Sequence, residues 1–213
     1  MRVVALDRPP RNALTFGMLE EGTALLRALA ATPPAAGLVV TGTGAVFTAG
    51  VDTKAAAGLD REGSRRLRDA VDDFAAALYR MPCAVVSAVN GHAIGAGGIM
   101  CLAGDWTVAA EGAHKIGLPE AKAGLPFPAV PTLIMDYQLD PVWRRRLALT
   151  SVLLGPHEAV AAGLADEVVP ADGLLDHAIA RAAELEAQPA FRQIKADQRR
   201  KALAELDQIQ PQS

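Results

Sequence analysis

Aromatic residues are scarce in this chain, at 4% of 213 positions, so Ala, Val, Leu and Gly must build the core. Such a core lets backbones approach closely. Cysteine is nearly absent. Cys83 and Cys101 are the two present, too few for a disulfide framework, and a reduced, cytoplasmic setting fits them best. There is no basic excess. The formal charge is -3, which argues against a duplex-binding or RNA-binding surface. The clusters Arg144-Arg145-Arg146 and Arg199-Arg200-Lys201 read as solvated helix faces. No apolar run is long enough for a membrane span, because Met81–Leu102 is interrupted by Asn90, His92 and several glycines. The N-terminus lacks the apolar core of a signal peptide.

Metal-binding and nucleotide-binding signatures are missing too. The four histidines, His92, His114, His157 and His177, show no H-E-x-x-H spacing, and no Cys-x-x-Cys pair exists, so no metal is expected. No G-x-S-x-G elbow, G-x-G-x-x-G loop or G-x-x-x-x-G-K-[ST] loop occurs. What is present is a globular composition, 51% apolar and 21% charged.

Periodicity places strands at Val3–Leu6, Gly37–Thr41, Ala84–Val89 and Trp106–Ala109. Helices are predicted from Leu14 to Ala30, with Thr15 as N-cap, and from Arg61 to Arg80, with Leu67, Val71, Phe74 and Leu78 on one face. Beyond Pro131 the pattern is mostly helical, with helix starts near Pro156, Ala171 and Pro189. No repeat or linker is evident. The alternation implies one α/β domain, with a core over 1–130 and a helical part over 131–213 that is either part of the same domain or a trimerisation region.

Two glycine-containing turns and one carboxylate remain as candidates for chemistry. The turns are Ala49-Gly50-Val51-Asp52 and Gly91–Gly98, the latter leading into a helix. A turn entering a helix presents free N–H groups that can hold an oxyanion. The same glycines also fit tight turns or close packing, and taken alone that reading is preferred. Glu120 sits among apolar, Pro and Gly residues. Burial there would raise its pKa toward the range a general acid/base needs. Alone, an exposed helix-opening Glu after Pro119 is the preferred reading.

In combination, the segments Leu6–Leu14, Gly44–Asp52, Val86–Gly98, Asp105, Gly117-Leu118-Pro119-Glu120, Gly124 and Ala159–Val169 resemble the enoyl-CoA hydratase/isomerase (crotonase) family. The resemblance covers nearly the whole chain. It implies a crotonase-like (ClpP/crotonase) spiral of β-β-α turns with a helical C-terminal part, assembled as a homotrimer or hexamer. It implies an acyl-CoA substrate and no separate cofactor, coenzyme A being part of the substrate. The Val51 and Ala96 amides would hold the thioester oxygen. Substrate or CoA contacts would come from Arg11, Asn12, Ala13, Ala49, Gly50, Asp52, Lys54, Gly97 and Ile99. Beside its relatives the chain looks short at both ends, without a strand before Val3 and stopping soon after Leu206. A more open or differently closed acyl pocket is therefore expected.

One departure matters. Hydratases of the family generally use two glutamates, and Ile99 occupies the position of the first. Only Glu120 matches the second. A single glutamate suffices to move a C3 double bond to C2, so an isomerase is the expected activity. A dienoyl-type isomerase would need an acid at Pro128. A hydratase pairing Glu120 with Asp52, Asp136 or a bound water is the alternative. A non-catalytic acyl-CoA binder is another.

Overall fold

The structure is a computed structural model and describes residues 1–210. The last three residues of the expected helical part, 211–213, lie outside the described residues. Strand β1 (Arg2–Leu6) leads to helix α1 (Phe16–Ala31), whose Thr15 hydroxyl accepts from Met18 N–H at 3.3 Å, as the N-cap reading requires. Then follow β2 (Leu38–Gly42), β3 (Val46–Thr48), the short α2 (Thr53–Ala56) and the long α3 (Arg61–Tyr79). Next come β4 (Val85–Val89), β5 (His92–Ile94), α4 (Ala96–Ala103), β6 (Trp106–Ala110), β7 (Ile116–Gly117) and α5 (Glu120–Ala123). The remainder is α6 (Ala129–Gln138), α7 (Pro141–Thr150), β8 (Leu153–Leu154), α8 (Pro156–Ala161), β9 (Glu167–Val169), α9 (Leu174–Glu186) and α10 (Phe191–Ile209).

Two sheets stack along a spiral. The larger has order β1-β2-β4-β6-β9 and is parallel throughout, with Leu38 opposite Val85 and Val86 opposite Trp106. The smaller has order β3-β5-β7-β8, with only β8 antiparallel. Each turn of the spiral gives one strand to each sheet: β2 and β3, then β4 and β5, then β6 and β7. The repeat is thus structural, although the sequence shows none. β4 is buried along its whole length, as a parallel strand covered on both faces must be. Small residues allow the tight spacing: a β-carbon at Gly91 would lie 2.1 Å from the Ala45 carbonyl oxygen.

Two features differ from the sequence reading. The region after Pro131 also holds β8 and β9. Two and three residues are too few to show a period of two, and their pairing is dictated by β7 and β6. Arg199 is not on a solvated face, whereas Arg200 and Lys201 are exposed. It is buried against the ends of two helices, donating to Tyr79 O at 2.6 Å, Gly104 O at 2.7 Å and Asp105 Oδ1 at 2.8 Å. Lys195, one turn earlier, binds the other Asp105 oxygen at 2.6 Å. This buried cluster fastens α10 to the ends of α3 and α4. The arginines of the other cluster, 144 to 146, are exposed as expected.

Candidate active site

The first turn follows β3. Leu14 N–H donates to Gly50 O at 2.8 Å and Asp52 N–H donates to Leu14 O at 2.9 Å, so Leu14 bridges to Val51 as an isolated parallel pair. In extended chain, the groups of the intervening residue point the other way. The Val51 N–H therefore faces away from Leu14, on the side where α4 begins. Gly50 has φ +78°, and a β-carbon there would meet Ile94 O at 2.6 Å and Ala96 N at 3.4 Å. Only glycine allows that contact.

The second turn places Ala96 as the first residue of α4, after Gly95 at φ +60°. First-turn amides have no partner within their own helix. Among the described residues, neither the Val51 nor the Ala96 N–H donates to a protein acceptor. The helix end adds positive potential at the same point. The arrangement leaves two amides without a protein acceptor in neighbouring turns, with Gly50 packed against the Ala96 N.

Glu120 opens α5 after Pro119. Its Oε2 is buried with no hydrogen-bond partner. Burial pushes its carboxyl up to about 7, only partly offset by a bond from its own backbone N–H. A β-carbon at Gly95 would stand 2.9 Å from Glu120 Oε1, so this carboxyl lies against the turn that supplies the Ala96 amide.

A cavity of about 180 Å³ opens here, with Val51, Ala96, Ile99 and Glu120 in its wall together with Ala49 and Gly50. Its other walls are α2 and α3, through Thr53, Ala56, Leu67, Arg68 and Val71, and the segment Leu125–Pro128. Ile99 lies in the wall and is almost fully buried, bringing no titratable group. Pro128 is likewise a wall residue without a proton to give.

The remaining predicted residues stand elsewhere. Asn12 is buried with φ 48°, and its amide donates to Thr43 O at 2.9 Å and Val46 O at 2.7 Å while accepting from Arg8 N–H at 2.9 Å. Its side chain is thus committed to holding the loop before α1. Asp52 caps α2 and pairs with Arg8 at 2.9 Å, and Asp136 pairs with Arg144 at 2.6 Å. Neither acid lines the cavity. The Ala13 carbonyl accepts from Arg8 at 3.1 Å, and that of Arg11 accepts from Ala49 N–H at 3.0 Å. Arg11 and Lys54 are exposed, outside the cavity. Gly97 faces Thr48, where a β-carbon would meet Cγ2 at 2.8 Å, so it serves the seating of α4.

Sequence reasoning overlooked Arg68, Thr53 and the Leu125–Phe127 part of the wall. The spacing of Leu67 and Val71 identified the buried face of α3 but carried no sign that a cavity lies over it. Among the described residues no cluster of metal-ligating side chains occurs. No helix among them is long and apolar enough to cross a membrane.

A family profile described as enoyl-CoA hydratase/isomerase matches residues 1–211. A Rhodobacter capsulatus protein named "Probable enoyl-CoA hydratase" is 36% identical over 206 residues, covering 92% of this chain and 76% of its own. The 2,3-dehydroadipyl-CoA hydratase of Escherichia coli is 30% identical over 184 residues, covering 86% of this chain and 71% of its own. The human mitochondrial delta3-delta2-enoyl-CoA isomerase superposes with a TM-score of 0.88 at 27% identity, over 97% of this chain and 81% of the human one. The crotonase spiral, the paired turns and the match along the chain agree, and this protein belongs to the enoyl-CoA hydratase/isomerase family.

Proposed function

We propose that this protein shifts the double bond of a 3-enoyl-CoA to C2, with Glu120 as the sole acid/base. The observation carrying this reading is that, among the described residues, Glu120 is the one carboxylate in the cavity wall, which Ile99 shares. The Glu120 carboxylate takes the proton from C2. The electrons of that C–H bond spread over the thioester, whose oxygen gains charge and is held by the Val51 and Ala96 amides. Glu120, now neutral, returns the proton to C4, and the double bond settles between C2 and C3. One group thus performs both transfers, and a value near 7 suits both directions. Coenzyme A enters as part of the substrate, with Arg11 and Lys54 available to its phosphates, and no other cofactor is invoked. The assembly proposed is a homotrimer or hexamer, and the setting a reduced cytoplasm, in keeping with two buried free thiols.

Hydration is the second reading, favoured by the hydratase names of the Rhodobacter and Escherichia relatives. It needs a second group to hold water. Asp52 and Asp136 are engaged elsewhere, so a bound water held by backbone would have to serve. The deciding experiment supplies 3-hexenoyl-CoA and 2-hexenoyl-CoA separately and follows products by mass spectrometry. Conversion of the first to the second, faster than formation of any 3-hydroxyacyl-CoA, supports isomerisation. Faster hydration overturns it. Binding of both thioesters without turnover assigns a non-catalytic binder.

A further inference from the structure

Arg68 is a charge without an assigned task. It lies on α3 between Leu67 and Val71, and all three line the cavity. Several other charges of α3 are committed. Arg65 pairs with Glu62 at 2.6 Å and Asp69 at 3.2 Å, and Arg66 lies over the Phe16 ring at 5.1 Å. The neighbouring acids are engaged as well: Asp72 accepts from Val130 N–H at 2.8 Å and Asp73 pairs with Arg27 at 3.1 Å. Among the described residues the Arg68 guanidinium has no ion pair and no hydrogen bond, although Asp69 and Asp72 are near it in sequence.

The rest of the wall is apolar apart from Glu120 and Thr53. A plain hydrocarbon acyl chain would offer Arg68 no charged partner at this border of the cavity. A guanidinium presents a planar fork of donors that matches a carboxylate in a bidentate pair. Arg68 is also exposed, which puts it at the cavity mouth, where such a pair keeps partial access to water.

We propose that Arg68 receives an anionic group at the far end of the acyl chain, so that the preferred substrate is the CoA thioester of a dicarboxylic acid. This rests on the acyl-CoA reading of the site above but not on the direction of its chemistry. The phosphates of coenzyme A offer related anionic chemistry, and the test separates the two sources.

The experiment is calorimetric binding of adipoyl-CoA and hexanoyl-CoA, equal in chain length and both without a double bond, to the wild-type protein and to R68L and R68K. Because neither reacts, failure of the isomerase reading leaves this measurement intact. The wild type is expected to bind adipoyl-CoA about 10-fold tighter or more, the scale of one charge-assisted pair. R68L is expected to lose that preference with hexanoyl-CoA affinity unchanged, and R68K to keep part of it. Equal weakening toward both thioesters by R68L would assign Arg68 to the CoA phosphates and overturn the proposal. An unchanged ratio in R68L would overturn it too, as would a wild type that binds the two alike.

Discussion

Gly95 lies so near the Glu120 carboxyl that a β-carbon at residue 95 would come within 2.9 Å of Oε1. Gly95 also holds φ +60°, where a side chain is strained. The turn that carries the Ala96 amide and the carboxylate proposed as acid/base therefore meet at one glycine. Gly95→Ala is expected to lower kcat about 100-fold, because a misplacement of reacting groups by about 1 Å is that costly. Circular dichroism should show the fold retained. A variant retaining more than half of wild-type kcat would rule out the coupling of turn and carboxylate.

Burial holds the Glu120 carboxyl up at about 7, and the proposed proton removal from C2 needs the ionised form. The value of kcat/KM should then be flat above pH 8 and fall about tenfold per pH unit below the Glu120 pKa, as a free-enzyme base requires. A pH–rate profile on 3-hexenoyl-CoA measures this directly. A midpoint near pH 4.5, the ordinary glutamate value, would mean that the carboxylate is solvated in the working enzyme.

The same burial opposes folding. The folded-state pKa of Glu120 is raised, so the folded state holds its proton more tightly than the unfolded chain does. Below about pH 4.5 both states are protonated and nothing is lost. The penalty grows as pH rises from there and is complete above about 7. Glu120→Gln removes it and should be more stable than wild type by about 2–3 kcal/mol at pH 8, a value discounted for partial exposure of the carboxyl. The gain should vanish near pH 4. Urea titrations at the two pH values test the sign, while turnover by the same variant should drop about 10²–10⁴-fold.

How far these features are readable in the sequence depends on how local their causes are. Thr15 caps α1, and Leu67, Val71, Phe74 and Leu78 mark the buried face of α3, because one helix's own spacing decides both. Glu120 alone is ambiguous. Its meaning emerges only in the ordered resemblance, since the cavity wall it joins is built from α3, the turn before α4 and the segment 125–128. Arg68 and Arg199 escape a reading based on charge runs. Both sit among exposed arginines, and only the packing of distant helices turns one to a cavity and the other into the interior. β9 is too short to carry its own signal and exists because β6 offers an edge.

Arg199 offers a test of that hidden interior. Its guanidinium satisfies the carbonyls of Tyr79, Ala103 and Gly104, stacks on the Tyr79 ring at 4.2 Å and shares Asp105 with Lys195. Arg199→Met would leave three buried carbonyls short of a donor and Asp105 with a single cation. Breaking a buried pair in this way costs about 3–5 kcal/mol. Lys201→Met on the exposed face of the same helix should stay within about 0.5 kcal/mol of wild type. Thermal and urea unfolding of both variants checks the contrast, and equal, small effects would mean that the cluster adds no net stability. Because the cluster grips the C-terminal end of α4 while the Ala96 amide sits at its N-terminal end, Arg199→Met should also lower kcat more than it raises KM, a split that Lys201→Met should not show.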